Sequence, residues 1–486
     1  MTRRTFLLVY AGLALLFVGP LWIVVHPPAM DLPANAALGT ILASRGTDGD
    51  PYATYFSISS LLNANTFYYF FIGIFGRILP VHFVSKLLLS VAILATPAAV
   101  AYARDSAEQD IELGLVGFAF ALTFNTIAGF IGFALGLPLM LVLAGLARRQ
   151  MADPTPRRAA AIAAVSTLTF FVHAQVFLFS LGVIGLCALC SITREPGWYK
   201  RFGATVGPAG VAVAVAAPWY IRSLGVMSEA GGASPHFQPA KVMIDYLPIH
   251  TFDQLRSSWD SYLGFAIVIG LAVIAVLGFV PWRGREISGS WFRRYAYYLC
   301  ALAAVILYFV LPSSVRYQQV INGRQAMVAL LLLCAAVHFR WDRLAMRLAL
   351  FAVLALVVAY GAVYAHATIK MGAESRDLEA ILKLAPKGSR LVAPHMPRSR
   401  FWRMDVYRHV GSYHVVWNRG YVANTFGATL PIQAIQVSPK LFRPPFNVNN
   451  VERFYDVVLS GKQIDSPKLQ LVAAGGPFYL YVVVRP

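Results

Sequence analysis

An α-helical polytopic membrane protein, with about eleven transmembrane helices and a small C-terminal α/β domain outside the membrane, is the fold class this sequence predicts. Three observations predict it. Of 486 residues, 58% are hydrophobic and 13% charged, where a soluble domain carries roughly 25% charge. Uncharged apolar stretches of about fifteen to twenty-five residues recur along the chain, long enough to cross a hydrocarbon core. From about residue 367 onward Gly, Pro and polar residues rise, and no further span follows. The composition excludes a soluble multidomain protein.

The elements follow in order. Met1-Thr2-Arg3-Arg4 precedes a first span, Thr5 to Val25. The run is longer than a signal-peptide core and no small-x-small cleavage site closes it, so it predicts an uncleaved span with a cytoplasmic N-terminus. The outer loop 26–66 predicts two interfacial helices, Leu32 to Ser44 and Tyr52 to Leu62. Asp31 and Asp50 stand at their N-cap positions, each with a proline (Pro33, Pro51) in the first turn. Span two is expected over Phe67 to Leu79, with Arg77 and Lys86 marking a cytoplasmic turn, and span three over Phe83 to Ala103. Arg104 to Asp110 is expected on the outer side. Of Ile111 to Ala147 and Ala159 to Ile192, one is crossed an odd number of times and the other an even number. Arg148, Arg149, Arg157 and Arg158 between them favour a cytoplasmic loop, which makes the first one crossing broken near Phe124–Phe130 and the second a hairpin. Either assignment leaves the downstream orientation the same.

Phe202 to Trp219 crosses outward and 220–262 forms a second outer loop. Leu263 to Val280 returns to the basic inner loop of Arg283, Arg285, Arg293 and Arg294. Tyr295 to Leu311, Gln325 to Val337 and Ala349 to Tyr364 complete the crossings. Residues 1–366 therefore read as the transmembrane domain and 367–486 as an extracytoplasmic α/β domain. Within the latter, Ser375 to Leu384 reads as a helix. Leu391-Val392, His414 to Trp417, Tyr455 to Leu459 and Phe478 to Val484 read as strands.

The net charge of +19 points to anionic lipid rather than nucleic acid in a chain of this hydropathy (mean +0.61). All four cysteines (Cys187, Cys190, Cys300, Cys334) lie in apolar segments, so no disulfide framework is implied. Cys187 and Cys190 have redox-pair spacing but read as small packing residues.

Asp31 is the leading functional candidate. It follows the first span in Val25-His26-Pro27-Pro28-Ala29-Met30-Asp31, so a carboxylate stands at the outer membrane face. The bland alternative is a helix N-cap. Arg316 and Arg324 bracket the last short outer loop and suit a phosphate, or else snorkel to headgroups. His173 lies between apolar stretches, where an ionisable group is a functional candidate or a neutral imidazole bonded to a neighbouring helix. Asp48 and Asp50 flank Gly49 and offer a second acid, a metal ligand or a solvated turn. Arg398, Arg400, Arg403 and Arg408, with Phe401 and Trp402, suggest contact with anionic headgroups. The loop 220–262, with His236 and His250, suggests an acceptor groove or a solvated amphipathic segment.

The layout resembles the GT-C class of membrane glycosyltransferases, and more narrowly uncharacterised bacterial GT-C-like proteins, over nearly the whole length. The resemblance rests on Met30-Asp31-Leu32-Pro33-Ala34-Asn35 after span one, on the interfacial helices, and on Asn63-Ala64-Asn65. Gly132-Phe133-Ala134-Leu135-Gly136-Leu137-Pro138, Arg324 at the start of a late span, and the outer C-terminal domain add to it. Relatives often carry a histidine where Asn35 stands and a second acid where Met30 stands. The resemblance implies a bacterial inner-membrane enzyme with a periplasmic C-terminal domain. It would transfer a hexosyl or pentosyl unit from a polyprenyl-phosphate donor to a periplasmic lipid, glycan or protein. Asp31 would be the base, and Arg324, Arg316, Asp50 and His173 would bind substrate. No residue is assigned to a metal, though the class leaves room for a divalent ion, and the sequence does not name a partner subunit. The competing readings are a transporter or flippase for lipid-linked sugars, and a non-catalytic GT-C-like scaffold, the latter motivated by Met30 and Asn35.

Overall fold

The computed structural model describes residues 1–58, 62–192, 197–229, 234–279, 291–315, 318–423, 435–437 and 446–485. Six of its helices are long and apolar enough to cross a membrane and several shorter apolar ones accompany them. The chain is a multi-pass membrane protein.

Helix α1 (Arg3–Ile23) runs the length of the bundle, from an end carrying Met1 to an end carrying Asp31. Helix α2 (Leu32–Ser44), strand β1 (Phe56–Ile58) and helix α3 (Phe67–Phe75) stay at the Asp31 end. With nine residues, α3 reaches only about 14 Å, half a hydrocarbon core, so the crossing expected over 67–79 does not form. Instead α3 packs on α2 at a glycine contact: a Cβ on Gly39 would sit 2.2 Å from Ile72 Cγ2. Among the described residues of 52–62 no helix forms either. Turns lead into β1, which pairs antiparallel with residues Ile435–Val437, because the tail domain supplies a strand that the local pattern could not announce.

Helix α4 (Val81–Ser106) returns to the Met1 end. It starts beside the end of α1, where Trp22 Nε1 donates to Ser90 Oγ at 3.1 Å and Lys86 Nζ donates to Val24 O. Lys86 and Arg77, the latter bonded to Ala43 O and Arg45 O, thus lie at the Asp31 end and mark no cytoplasmic turn. The Met1 amino group lies 3.0 Å from the Glu112 carboxylate. Residues 104–112 therefore sit at the Met1 end, opposite to expectation. There the buried Arg104 guanidinium donates through Nη1 to the Cys334 and Val337 carbonyls at 2.9 and 2.7 Å and through Nε to Asp110 O at 2.7 Å, while its Nη2 has no hydrogen-bond partner among the described residues.

A broken segment then recrosses: a 3-10 turn at Ile111–Val116, α5 (Gly117–Ala121) and α6 (Phe124–Ile127). Helix α7 (Ile131–Ala152) returns, and its Arg149 pairs with Asp105 at the Met1 end. Helices α8 (Pro156–Val172) and α9 (Ala174–Cys190) form the expected hairpin. The stretch from 111 to 147 is therefore crossed twice, which replaces the crossing lost at α3 and restores the expected orientation downstream.

Helices α10 (Trp198–Glu229), α11 (Ala240–Thr251), α12 (Trp259–Phe279) and α13 (Trp291–Val310) follow. Strands β2 (Ser314–Val315) and β3 (Gln318–Gln319) pair antiparallel before α14 (Gln325–Ala336) and α15 (Leu344–Glu374). Helix α15 runs unbroken past residue 367 into the tail. That tail carries α16 (Leu378–Lys383), β4 (Arg390–Val392), α17 (Tyr413–Asn418), β5 (Tyr421–Val422), β6 (Ile435–Val437), β7 (Val457–Ser460), β8 (Leu469–Gly475) and β9 (Phe478–Val483). Its sheet has the order β5-β4-β7-β9-β8, parallel in the first three strands and antiparallel in the last.

The strand expected at 414–417 is instead helix α17. Asn418 Nδ2 meets His414 Nδ1 at 3.0 Å across one helical turn, a contact that an extended chain forbids. The tail is tied to the bundle through His26, whose Nε2 donates to Val406 O and whose Nδ1 accepts from Tyr413 OH, both at 3.1 Å. Burial holds this imidazole down at about 4, so it is neutral and both of its hydrogen bonds persist across the physiological range.

The topology makes a direct prediction. A cysteine at Glu108 should react with a membrane-impermeant maleimide only from the side that carries Met1, and one at Arg77 only from the opposite side. Labelling of both from one side would contradict the short α3.

Candidate functional site

Asp31 closes the link of residues 24–31 after α1 and opens α2. Its side chain makes no capping hydrogen bond to that helix, so the N-cap role does not consume the carboxylate. The backbone is held from the broken segment instead. Met30 N donates to Ile127 O at 2.9 Å, Asp31 N to Ala128 O at 3.2 Å, and Asn35 Nδ2 to Gly129 O at 3.3 Å. Gly129 has φ +78°, and a Cβ there would lie 2.5 Å from Asp31 N. The left-handed turn and the close approach both require glycine.

The Asp31 side chain is 13% exposed and its Oδ1 lies 3.5 Å from His409 Nε2. Burial pushes the carboxyl up to about 7, opposed by the positive charges of Arg408 and Arg324. Burial, with Arg408 adding to it, holds His409 at about 4. The contact is therefore between a carboxyl and a neutral imidazole, and is no ion pair near neutral pH. The buried Tyr68 phenol of α3 also feels the Asp31 charge, which adds to burial in keeping it protonated.

Arg324 stands at the start of α14. Its Nη1 meets Gln175 Oε1 at 3.2 Å and His173 Nε2 at 3.3 Å, and its Nη2 donates to Gln319 O at 3.2 Å. The guanidinium lies over the Phe130 ring at 4.4 Å and the Phe133 ring at 5.6 Å. Burial lowers it to about 10, with Asp31 opposing, so it stays charged at neutral pH. Val176 N donates to His173 Nδ1 at 3.4 Å, so the neutral ring carries its proton on Nε2 and the 3.3 Å approach to Arg324 Nη1 is a polar contact and not an accepted hydrogen bond. Burial, together with Arg324, keeps this imidazole neutral.

The broken segment links the two halves, since Gly129 abuts Asp31 and Phe130 lies under Arg324. Open hydrogen-bonding atoms accompany them. Asn35 Oδ1, both amide atoms of Asn125 and of Gln325, and Arg324 Nε are buried without hydrogen-bond partners among the described residues. Unpaired buried polar atoms of this kind are costly unless a ligand or water meets them.

Of the expected site residues, Asp31, Arg324 and His173 belong to one cluster. Arg316 lies outside the described residues. Asp50 serves elsewhere: its Oδ1 accepts from Tyr52 N at 2.9 Å and its Oδ2 lies 3.9 Å from Arg45 Nη1. The arginine cluster around Trp402 separates. Arg398 faces Asp405 at 3.3 Å, Arg403 faces Asp253 at 3.2 Å, Trp402 is buried, and Arg408 is the member that acts on Asp31. His250 is buried against Tyr308 OH at 3.1 Å, which removes it from an acceptor groove. Tyr68, Asn125 and Gln175 were missed. Tyr68 sat in an aromatic run that read as a span, and Gln175 had as its only signal its place two residues after His173.

Among the described residues no second carboxylate joins Asp31, whose neighbours are the neutral His409 imidazole and the positive charges of Arg408 and Arg324. Two cations beside a single carboxylate oppose a divalent ion, and among the described residues no group of three or more His, Cys, Asp or Glu side chains has metal-holding geometry.

No family model matches the sequence and no curated protein matches it. Solved structures do match. ArnT from Cupriavidus metallidurans, crystallised with undecaprenyl phosphate, aligns at TM-score 0.59 and 11% identity over 99% of both chains. Arabinofuranosyltransferase AftD from Mycobacteria aligns at TM-score 0.54 and 14% identity over all of this chain and 40% of its own. These neighbours are GT-C glycosyltransferases, and the chain has their fold.

The raised Asp31 carboxyl predicts a stability effect with a definite sign. The folded state favours the protonated acid and the unfolded chain ionises at ordinary carboxyl values. Wild-type stability therefore falls as pH rises from about 4 through about 7. Asp31→Asn should raise the thermal midpoint relative to wild type, by an amount that grows across this window and levels off above it. Equal midpoints at pH 8, read by differential scanning fluorimetry, would contradict the burial argument.

Proposed function

We propose that the protein is a GT-C-type glycosyltransferase that moves a sugar from a polyprenyl-phosphate donor to a lipid, glycan or protein acceptor. The observation that carries this reading is the cluster itself: a poised carboxyl and a π-stacked guanidinium that feel each other's charge at the same end of the bundle. The undecaprenyl phosphate bound to the ArnT structure supports a donor on a lipid carrier. We place the reaction on the extracytoplasmic face of a bacterial inner membrane, with residues 367–486 in the periplasm.

In this mechanism the acceptor hydroxyl gives its proton to the Asp31 carboxylate while its oxygen bonds to the sugar's anomeric carbon. The bond from that carbon to the phosphate oxygen breaks, and the lipid phosphate leaves with the electron pair. Arg324 holds the leaving phosphate through the forked donors suited to it, and Gln175 and neutral His173 orient the fork. Arg408 adds positive charge beside the reacting centre, and Arg316 is a sequence-based candidate for the same phosphate. The open amides of Asn35, Asn125 and Gln325 suit sugar hydroxyls.

Asp31→Asn should lower transfer by roughly 10²–10⁴-fold, the worth of a positioned base, in protein that still folds. Full transfer by that variant would remove the base assignment. Retained complementation without transfer would favour the scaffold reading, and lipid-sugar movement across liposomes without a new glycosidic bond would favour transport. Arg324→Gln should raise the donor KM by roughly 10–100-fold, as expected for a charged hydrogen bond to phosphate, and Arg324→Lys should restore only part of it.

The pH profile follows from the same groups. The base must be ionised, so kcat/KM should rise about tenfold per pH unit up to about 7 and then level off. His409, held near 4, and Arg324, near 10, do not titrate in that range. A profile flat from pH 5 to 8 in the free enzyme would exclude Asp31 as the base.

A further inference from the structure

A groove of about 480 Å³ opens on the outside of the bundle where α12, α15 and residues 400–401 meet. Its walls include Arg256, Trp259, Val363, His366, Arg400 and Phe401. None of its lining residues belongs to the Asp31–Arg324 cluster. We propose that this groove binds an anionic phospholipid of the surrounding bilayer, with its phosphate between Arg256 and Arg400 and an acyl chain along the apolar seam of α12 and α15. The proposal does not depend on the glycosyltransferase reading.

Depth, charge and shape converge on that occupant. Trp259 is the first residue of α12, a helix apolar and long enough to span, and its side chain is 59% exposed. An exposed indole at the end of a span belongs at headgroup level. The floor below it, with Ala362, Val363 and Ala367, is apolar. Arg400 is exposed, and its guanidinium has no hydrogen bond or ion pair among the described residues. Arg256 is exposed too, with Nε donating to Ser399 O at 2.9 Å.

The neighbouring acids are bonded to backbone and hydroxyl groups and pair with neither groove guanidinium. Glu374 accepts from Ser399 Oγ, Arg400 N and Tyr407 OH, and Asp260 accepts from Gln254 N and Leu255 N. The groove therefore offers positive charge above an apolar floor. A zwitterionic lipid would bring a cation against two guanidinium groups, whereas an anionic one would not. Arg256 also joins the α11–α12 link to the 399–401 segment of the tail, so a lipid seated here would bridge the bundle and the tail.

The test uses the full-length protein in phosphatidylcholine vesicles that contain brominated phosphatidylglycerol or brominated phosphatidylcholine. The difference in quenching between wild type and Trp259→Phe isolates the Trp259 signal. Brominated phosphatidylglycerol should quench it at a mole fraction roughly thirtyfold lower than brominated phosphatidylcholine, as expected for two basic side chains at a membrane surface. Arg400→Gln should cut that preference several-fold at an unchanged thermal midpoint, and the Arg256→Gln/Arg400→Gln double variant should abolish it. Equal quenching by the two lipids in wild type, or a preference that survives in the double variant, would overturn the proposal.

Discussion

The backbone contact between residues 127–129 and residues 30–31 is the constraint on which the site depends. A crossing that breaks before reaching the membrane surface exposes carbonyls that a continuous helix would have used internally. Here the Ile127 and Ala128 carbonyls take the Met30 and Asp31 N–H groups, and Gly129 removes the side chain that would have kept them apart. The break also turns Phe130 under the Arg324 guanidinium. One irregularity in one crossing thus sets the carboxyl of Asp31 and the guanidinium of Arg324 against the same strip of chain.

Electrostatics follow from this packing. A carboxyl this enclosed resists ionisation, and the two guanidinium groups nearby keep it from being locked in its neutral form. Neutral His409 and His173 contribute polarity without charge. The result is an acid that changes state near neutral pH in the field of a cation that does not, an arrangement that suits the proton removal and phosphate departure proposed above.

Much of the architecture was legible in the sequence because membrane crossing is a one-dimensional constraint. Length, apolarity and loop arginines predicted the crossings from α8 onward, and the tail strands at 391–392 and 478–484 had the expected patterning. The errors came from contacts distant in sequence. Phe67 to Leu79 is apolar enough to span, but α3 is cut short and buried on α2. Arg104 looked like a loop charge, yet it is buried and donates to the carbonyls that end α14. His414 to Trp417 has strand-like composition but folds as a helix that packs against α2. At the site, Asp31 and Arg324 could be named from position and charge. Arg408 could not be separated from its neighbours until Arg398 and Arg403 were seen to be paired elsewhere, and nothing local marked Tyr68.

The most direct measurement is a cryo-EM structure of the protein in nanodiscs supplied with undecaprenyl phosphate. The account predicts phosphate density within hydrogen-bonding reach of the Arg324 guanidinium, with the Asp31 carboxyl facing the position that a sugar on that phosphate would take. Phosphate density only at Arg256 and Arg400, or an Arg324 still closed on Gln175 with lipid bound on another face, would contradict it.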